Sequence, residues 1–190
     1  MTAFALAMAC TPGPNNIMLT ASGVNFGFAR SVPHMSGVVV GFAVLLGAAC
    51  AGLGLLLAAY PAIHVALKVA GAAYMLWLAW KIANAGQPRS AEGEGGRPLT
   101  FLQAAAFQWV NPKGVLASVG GVALFLRPES AALDTAIILV VFTLATVISV
   151  VIWTGFGTVV SGLLRDPRHA RVFNAVMALL LVASIVPMVL

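Results

Sequence analysis

Two short polar stretches interrupt a chain that is otherwise almost wholly apolar. TPGPNN, at Thr11–Asn16, holds two prolines, a glycine and two asparagines. QWVNPKG, at Gln108–Gly114, holds a glutamine, an asparagine, a proline and Lys113. Their chemistry is that of binding rather than catalysis. Amide side chains offer both donors and acceptors, and a lysine offers a charge. In a helix, Pro12, Pro14 and Pro112 would leave the carbonyls of Met8, Cys10 and Gln108 without amide partners. Asn111 precedes a proline and is pushed out of the helical region. Gly13, between two prolines, is expected to permit a sharp change of direction. Each stretch then ends one half-helix and starts another, near Asn15 or near Lys113, with unpaired amides at the new N-terminus. Those amides and the partial positive charge there suit an anionic group such as a carboxylate.

Pro12, Gly13, Pro14, Asn15, Asn16, Gln108, Asn111, Pro112 and Lys113 are therefore the candidate substrate-binding residues. Asn174, an amide in the last apolar stretch, joins them. Lys113 has two readings. It attracts a carboxylate or couples transport to protons, or it caps freed carbonyls and holds the break together. For the asparagines, capping and substrate contact both stay open. Thr143, Thr146, Ser149 and Thr154 are expected to bond their own backbone. No catalytic residue, metal ligand or cofactor is expected.

The elements that carry these stretches are apolar enough to span a bilayer. The 190 residues are 61% hydrophobic and 8% charged, against about 25% charged in soluble domains. Such a chain cannot cover a water-facing surface. Six spans fit it, at about 1–22, 34–58, 62–83, 101–125, 132–160 and 170–190, each near the ~20 residues a crossing helix needs. The net charge of +5 comes from basic residues scattered between apolar runs, which does not suggest nucleic acid. Arg30, Lys81, Arg89, Arg97, Arg165, Arg168 and Arg171 fall on one side, and Lys68 and Arg127 on the other. The positive-inside rule puts the larger group in the cytoplasm, so both termini face outward. Asp134 and Glu129 lie near the outer end of the fifth span and read as solvated.

Asn84–Thr100 is rich in glycine, proline and charge. It reads as a flexible loop. It divides the chain into a first repeat of three helices (1–84), a cytoplasmic linker (85–100) and a second repeat of three helices (101–190). Pro12 and Pro112 occupy the first span of each half. Three spans is an odd number, so the halves cross in opposite directions. The fold expected is all-α, with two inverted repeats whose helices 1 and 4 are broken mid-membrane. Interrupted helices at matching places in two halves point to a transporter site at the midplane. Gly37, Gly41 and Gly47 of the second span read as small residues that permit close helix packing.

At these residues the chain resembles the LysE/RhtB family of bacterial amino-acid exporters. The resemblance runs through TPGPNN, GFAR at Gly27–Arg30, the glycines of span 2, KVAGAAYMLWLAWKI at Lys68–Ile82 and FQWVNPKG at Phe107–Gly114. The stretch AYMLWLAWKIA looks most like the cysteine/O-acetylserine exporter branch. Many family members carry an acidic residue after the second glycine of span 2, where this chain has Phe42. That speaks against a dicationic substrate and removes one proton carrier. The resemblance implies efflux of a small neutral amino acid or derivative, of the cysteine, O-acetylserine, homoserine or threonine type. It also implies coupling to the proton gradient in a multi-pass protein of the bacterial cytoplasmic membrane. A homodimer is left open as the assembly.

Two other classes fit the residues less well. A transmembrane thiol–disulfide electron carrier would need two thiols that can approach. Cys10 borders the first break, but the second break has no cysteine and Cys50 lies in another span. A non-transporting membrane subunit would leave the polar breaks without a purpose. No glycine-rich ATP-binding loop is present, which speaks against direct ATP coupling.

Overall fold

The computed structural model describes residues 1–84 and 97–186, and every regular element among them is helical. The first half contains α1 (Thr2–Cys10), α2 (Pro14–Arg30), α3 (Val32–Cys50), α4 (Leu53–Ala59) and α5 (Pro61–Ala83). The second contains α6 (Phe101–Phe107), α7 (Pro112–Phe125), α8 (Ala131–Val160) and α9 (Pro167–Ala183). Single 3-10 turns lie at Pro128–Ser130 and Ser161–Arg165. The expected linker, including Arg89, lies outside the described residues except for 97–100. Val32–Cys50, Val65–Ala83 and Pro128–Leu164 are each long and apolar enough to cross a membrane unaided. The helices at the two breaks are shorter, because each break divides its apolar stretch.

Local chemistry sets the boundaries. Proline opens α2, α5, α7 and α9. Its missing N–H costs nothing in a first turn, where amides have no helical partner. Thr100 and Gln103 form a reciprocal capping box at the start of α6. The side chain of Asp166 accepts from the Arg168 amide at 2.7 Å and caps α9.

Three boundaries differ from expectation. Span 2 is not continuous: α3 stops at Cys50, and Gly52 takes a left-handed φ of 105° before α4 begins. α2 does not end near residue 22 but runs on to Arg30, with Gly27 at a φ of 76° inside its last turns. Gly27 breaks the helix there, and Arg30 lies beyond the break, at the junction with α3. The last span begins at Pro167, three residues early. Asp134 is not solvated either. It is 3% exposed and accepts bonds from Arg127 and from Ser130 Oγ, tying the start of α8 to the chain before it.

The core depends on close backbone approach. α2 packs most extensively on α8. A Cβ built on Gly157 would lie 2.2 Å from the Thr20 carbonyl oxygen, and one on Gly23 would lie 2.2 Å from that of Thr154. The two helices touch backbone to backbone at both points. α6 lies on α3 in the same way: a Cβ on Gly37 would meet the Phe101 carbonyl oxygen at 2.4 Å, and one on Gly41 the Ala105 Cα at 2.5 Å. Gly47 faces open space instead. Two of the three glycines expected to permit packing do so.

The contacts at Gly157 set up a direct test. Gly157→Ala should lower the unfolding temperature in detergent clearly, by an overpacking cost of about 1–3 kcal/mol. Gly155→Ala, with nothing near its added methyl, should leave it unchanged or slightly raised. Equal unfolding temperatures for the two variants would refute the close contact.

Candidate functional site

The first break is a short extended segment, Thr11 to Gly13, between α1 and α2. It frees carbonyls at the end of α1, and those of Ala9, Cys10 and Thr11 each find a side chain. The Ala9 oxygen accepts from Asn16 Nδ2 at 2.9 Å and from Ser149 Oγ at 2.7 Å. The Cys10 oxygen accepts from Trp153 Nε1 at 3.2 Å. The Thr11 oxygen accepts from Asn16 Nδ2 at 2.8 Å and from Lys113 Nζ. Lys113 Nζ also donates to Thr11 Oγ1 at 2.9 Å.

The second break, Gln108 to Asn111, is tighter. The amides of Gln108, Trp109, Val110 and Asn111 each bond three residues back, so the chain turns before Pro112 starts α7. The two breaks lie against each other. Asn15 Nδ2 donates to Gln108 Oε1 at 2.8 Å, and Gln108 Nε2 returns a bond to Asn15 Oδ1 at 3.2 Å. Gln108 Nε2 also donates to the Ala104 oxygen at 2.8 Å, which fixes the orientation of its amide. With the Lys113–Thr11 contact, two polar links join residues about 100 apart in sequence.

Gly13 differs from its expected role. Its φ of −174° is ordinary extended backbone that any residue adopts. A Cβ there would lie 2.7 Å from Lys113 Cδ, so the lysine stem in its present position uses the space that glycine leaves. It makes room for the lysine stem rather than turning the chain.

Between the breaks and α8 lies a small cavity of about 50 Å³, its wall part polar and part apolar. Gly13, Asn15, Asn16, Asn111 and Lys113 line it, with Thr146 and Ser149 of α8. Phe42 lines it as well and is 8% exposed. Pro12, Pro14 and Pro112 face a larger and mainly apolar cavity of about 520 Å³. Gly13 and Lys113 border both spaces, and Lys68 lines the second. Gln108 borders neither; it is fully buried and holds Asn15 in place. Asn174 is buried in α9 and lines neither cavity, so the structure does not bring it to the breaks.

One group stands apart. Asn111 is 2% exposed, and its Oδ1 has no hydrogen-bond partner. A buried acceptor left unpaired costs about 1–3 kcal/mol. Asn111 is also one of the residues that line the cavity at the breaks. The remaining asparagines and the glutamine spend their amides on other protein groups.

A family model for LysE-type translocators matches residues 6–186. The chain belongs to the LysE family. Curated cysteine/O-acetylserine efflux proteins of Escherichia coli strain K12 and Shigella sonnei strain Ss046 are each 36% identical to it over 182 residues. The match covers 94% of this chain and 90% of each relative. No solved structure matches it. In this LysE-family chain, residues of both breaks read from the sequence line the small cavity. Two contributors were missed. Ser149 and Trp153 bond the carbonyls of a different helix instead of their own. Nothing in an apolar run marks which carbonyl of a distant helix a serine or tryptophan will reach.

The bonding pattern separates two kinds of asparagine. Asn16→Ala should lower thermal stability by about 1–3 kcal/mol, because the Ala9 and Thr11 carbonyls lose a donor. Asn111→Ala should leave stability unchanged or slightly raised while reducing solute binding. Unfolding curves in detergent decide it. A strong loss of stability in Asn111→Ala would place that residue among the caps.

Proposed function

We propose that the protein exports a small neutral amino acid or derivative across the bacterial cytoplasmic membrane, as a secondary transporter drawing on the proton gradient. Cysteine and O-acetylserine, named for its relatives, head the candidates, with homoserine and threonine beside them. The observation that carries the reading is the buried, unpaired Oδ1 of Asn111, a residue that lines the cavity where two proline-broken helices meet. The first-turn amides of α2 and α7 have no helical acceptor, and Lys113 adds a full charge beside them. A zwitterion fits this pairing. Its carboxylate takes Lys113 and the amides, and its ammonium donates to Asn111 Oδ1. Phe42, at the cavity wall, provides no countercharge for a second cationic group.

The reading takes α1–α2, α3–α4, α5, α6–α7, α8 and α9 as six crossings in two inverted repeats, with both termini outside. Gly13 and Lys113 form the partition between the small and the larger cavity. A solute passes when Lys113 exchanges Thr11 for the solute carboxylate. The halves then rock about the breaks to open one side or the other. Lys113 is the proposed coupling residue, since it alternates between protein and solute partners.

A counterflow screen in proteoliposomes tests the substrate class. Vesicles loaded with unlabelled cysteine or O-acetylserine should accumulate the labelled solute, and lysine-loaded vesicles should not accumulate lysine. Accumulation of no amino acid would sink the export reading, and a preference for lysine would overturn the argument from Phe42. In Lys113→Ala vesicles, efflux driven by a pH gradient should fall about tenfold or more, the effect of losing one hydrogen bond to a charged group. Full efflux in that variant would remove the lysine from the mechanism.

A further inference from the structure

A separate cavity opens further along α2, beyond the breaks. Ser22 and Asn25 of α2, His34 of α3, Lys81 of α5 and Arg97 contribute its polar wall. It shares no residue with the cavity at the breaks. Two of its polar groups are sealed from solvent without a partner. His34 is 1% exposed; its Nδ1 lies 3.1 Å from Ser22 Oγ, and its Nε2 bonds nothing. Asn25 Nδ2 donates to the Ala21 oxygen at 2.8 Å, which fixes the amide orientation and leaves a buried Oδ1 unpaired. Two exposed cations complete the wall. Lys81 Nζ stands 4.7 Å from the centre of the Trp77 ring, and Arg97 approaches from the residues before α6. Among the described residues neither forms an ion pair.

This constellation matches a zwitterion at both ends. Positive charge at the mouth takes a carboxylate, and a buried acceptor deeper in takes an ammonium. We propose that this cavity is a second binding subsite for a small α-amino acid, on the face where the basic residues gather. The proposal rests on the export reading. The carboxylate lies between Lys81 and Arg97, and the ammonium donates to Asn25 Oδ1. His34 Nε2 bonds a further polar atom of the solute. Leu78, Ile82 and Leu99 offer only apolar contact to the side chain, so selection acts on the α-amino and carboxylate groups. By the distribution of basic residues this face is cytoplasmic. The subsite then takes up solute before it moves along α2 to the breaks.

An anionic lipid headgroup would offer the same negative charge to Lys81 and Arg97, so the experiment separates the two. The full chain is placed in phosphatidylcholine nanodiscs, and radiolabelled O-acetylserine binding is measured at equilibrium. Two equivalents are expected per chain, competed by serine but not by serinamide, which lacks the carboxylate. Lys81→Gln/Arg97→Gln should bind one equivalent. Asn25→Ala should weaken the second equivalent about tenfold without changing the unfolding temperature. One equivalent or none in the unaltered protein, or two in the double variant, would overturn the subsite. So would loss of the second equivalent in phosphatidylglycerol nanodiscs, which would assign the cavity to lipid. Counterflow is read alongside. Two equivalents without counterflow keep the subsite and remove the export reading, whereas counterflow with one equivalent does the reverse.

Discussion

A carbonyl freed inside an apolar bundle must find a donor, and this requirement organises the molecule. Prolines end α1 short of a full crossing and leave the oxygens of Ala9, Cys10 and Thr11 without helical amides. In the hydrocarbon of a bilayer each unsatisfied backbone group costs several kcal/mol. Four residues from three places supply the donors: Asn16 on the next half-helix, Ser149 and Trp153 on α8, and Lys113 on the opposite break. The capping set thereby draws three helices onto one point. The small cavity is the space these donors enclose.

Close packing makes that set reachable. Ser149 and Trp153 can donate to α1 only because α8 lies near the line of α1 and α2. The backbone contacts at Gly23 and Gly157 hold α8 against α2. The small residues and the polar caps are therefore not independent features. Without the glycines the donors would fall short, and without the donors the broken helix would have no stable end. Asn111 shows the contrast. Its neighbours spend their amides on caps, and its own oxygen stays free for something else.

Much of this was legible in the chain. The prolines mark both breaks, and the apolar runs fall on helices. The small glycines Gly37 and Gly41 announce close packing. What was not legible follows a pattern. Gly52 interrupts span 2 inside a run of alanine, glycine and leucine with no proline or polar residue to flag it. Gly13 reads as a hinge, but its backbone is extended and its smallness serves Lys113. Asn174 resembles the other amides in type, yet its helix carries it elsewhere.

The sequence by itself determined that this chain belongs in a membrane, where the two proline breaks fall and which polar residues they contain. Composition, proline geometry and spacing are local properties, so they survive reading in one dimension. Only the tertiary structure decided which of those residues cap and which remain open. Asn15 could bond anything within reach until Gln108 was found beside it, and Lys113 could serve any anion until Thr11 was found there. A hydrogen-bonding group has the same chemistry everywhere, and its role depends on which distant partner the packing brings within about 3 Å.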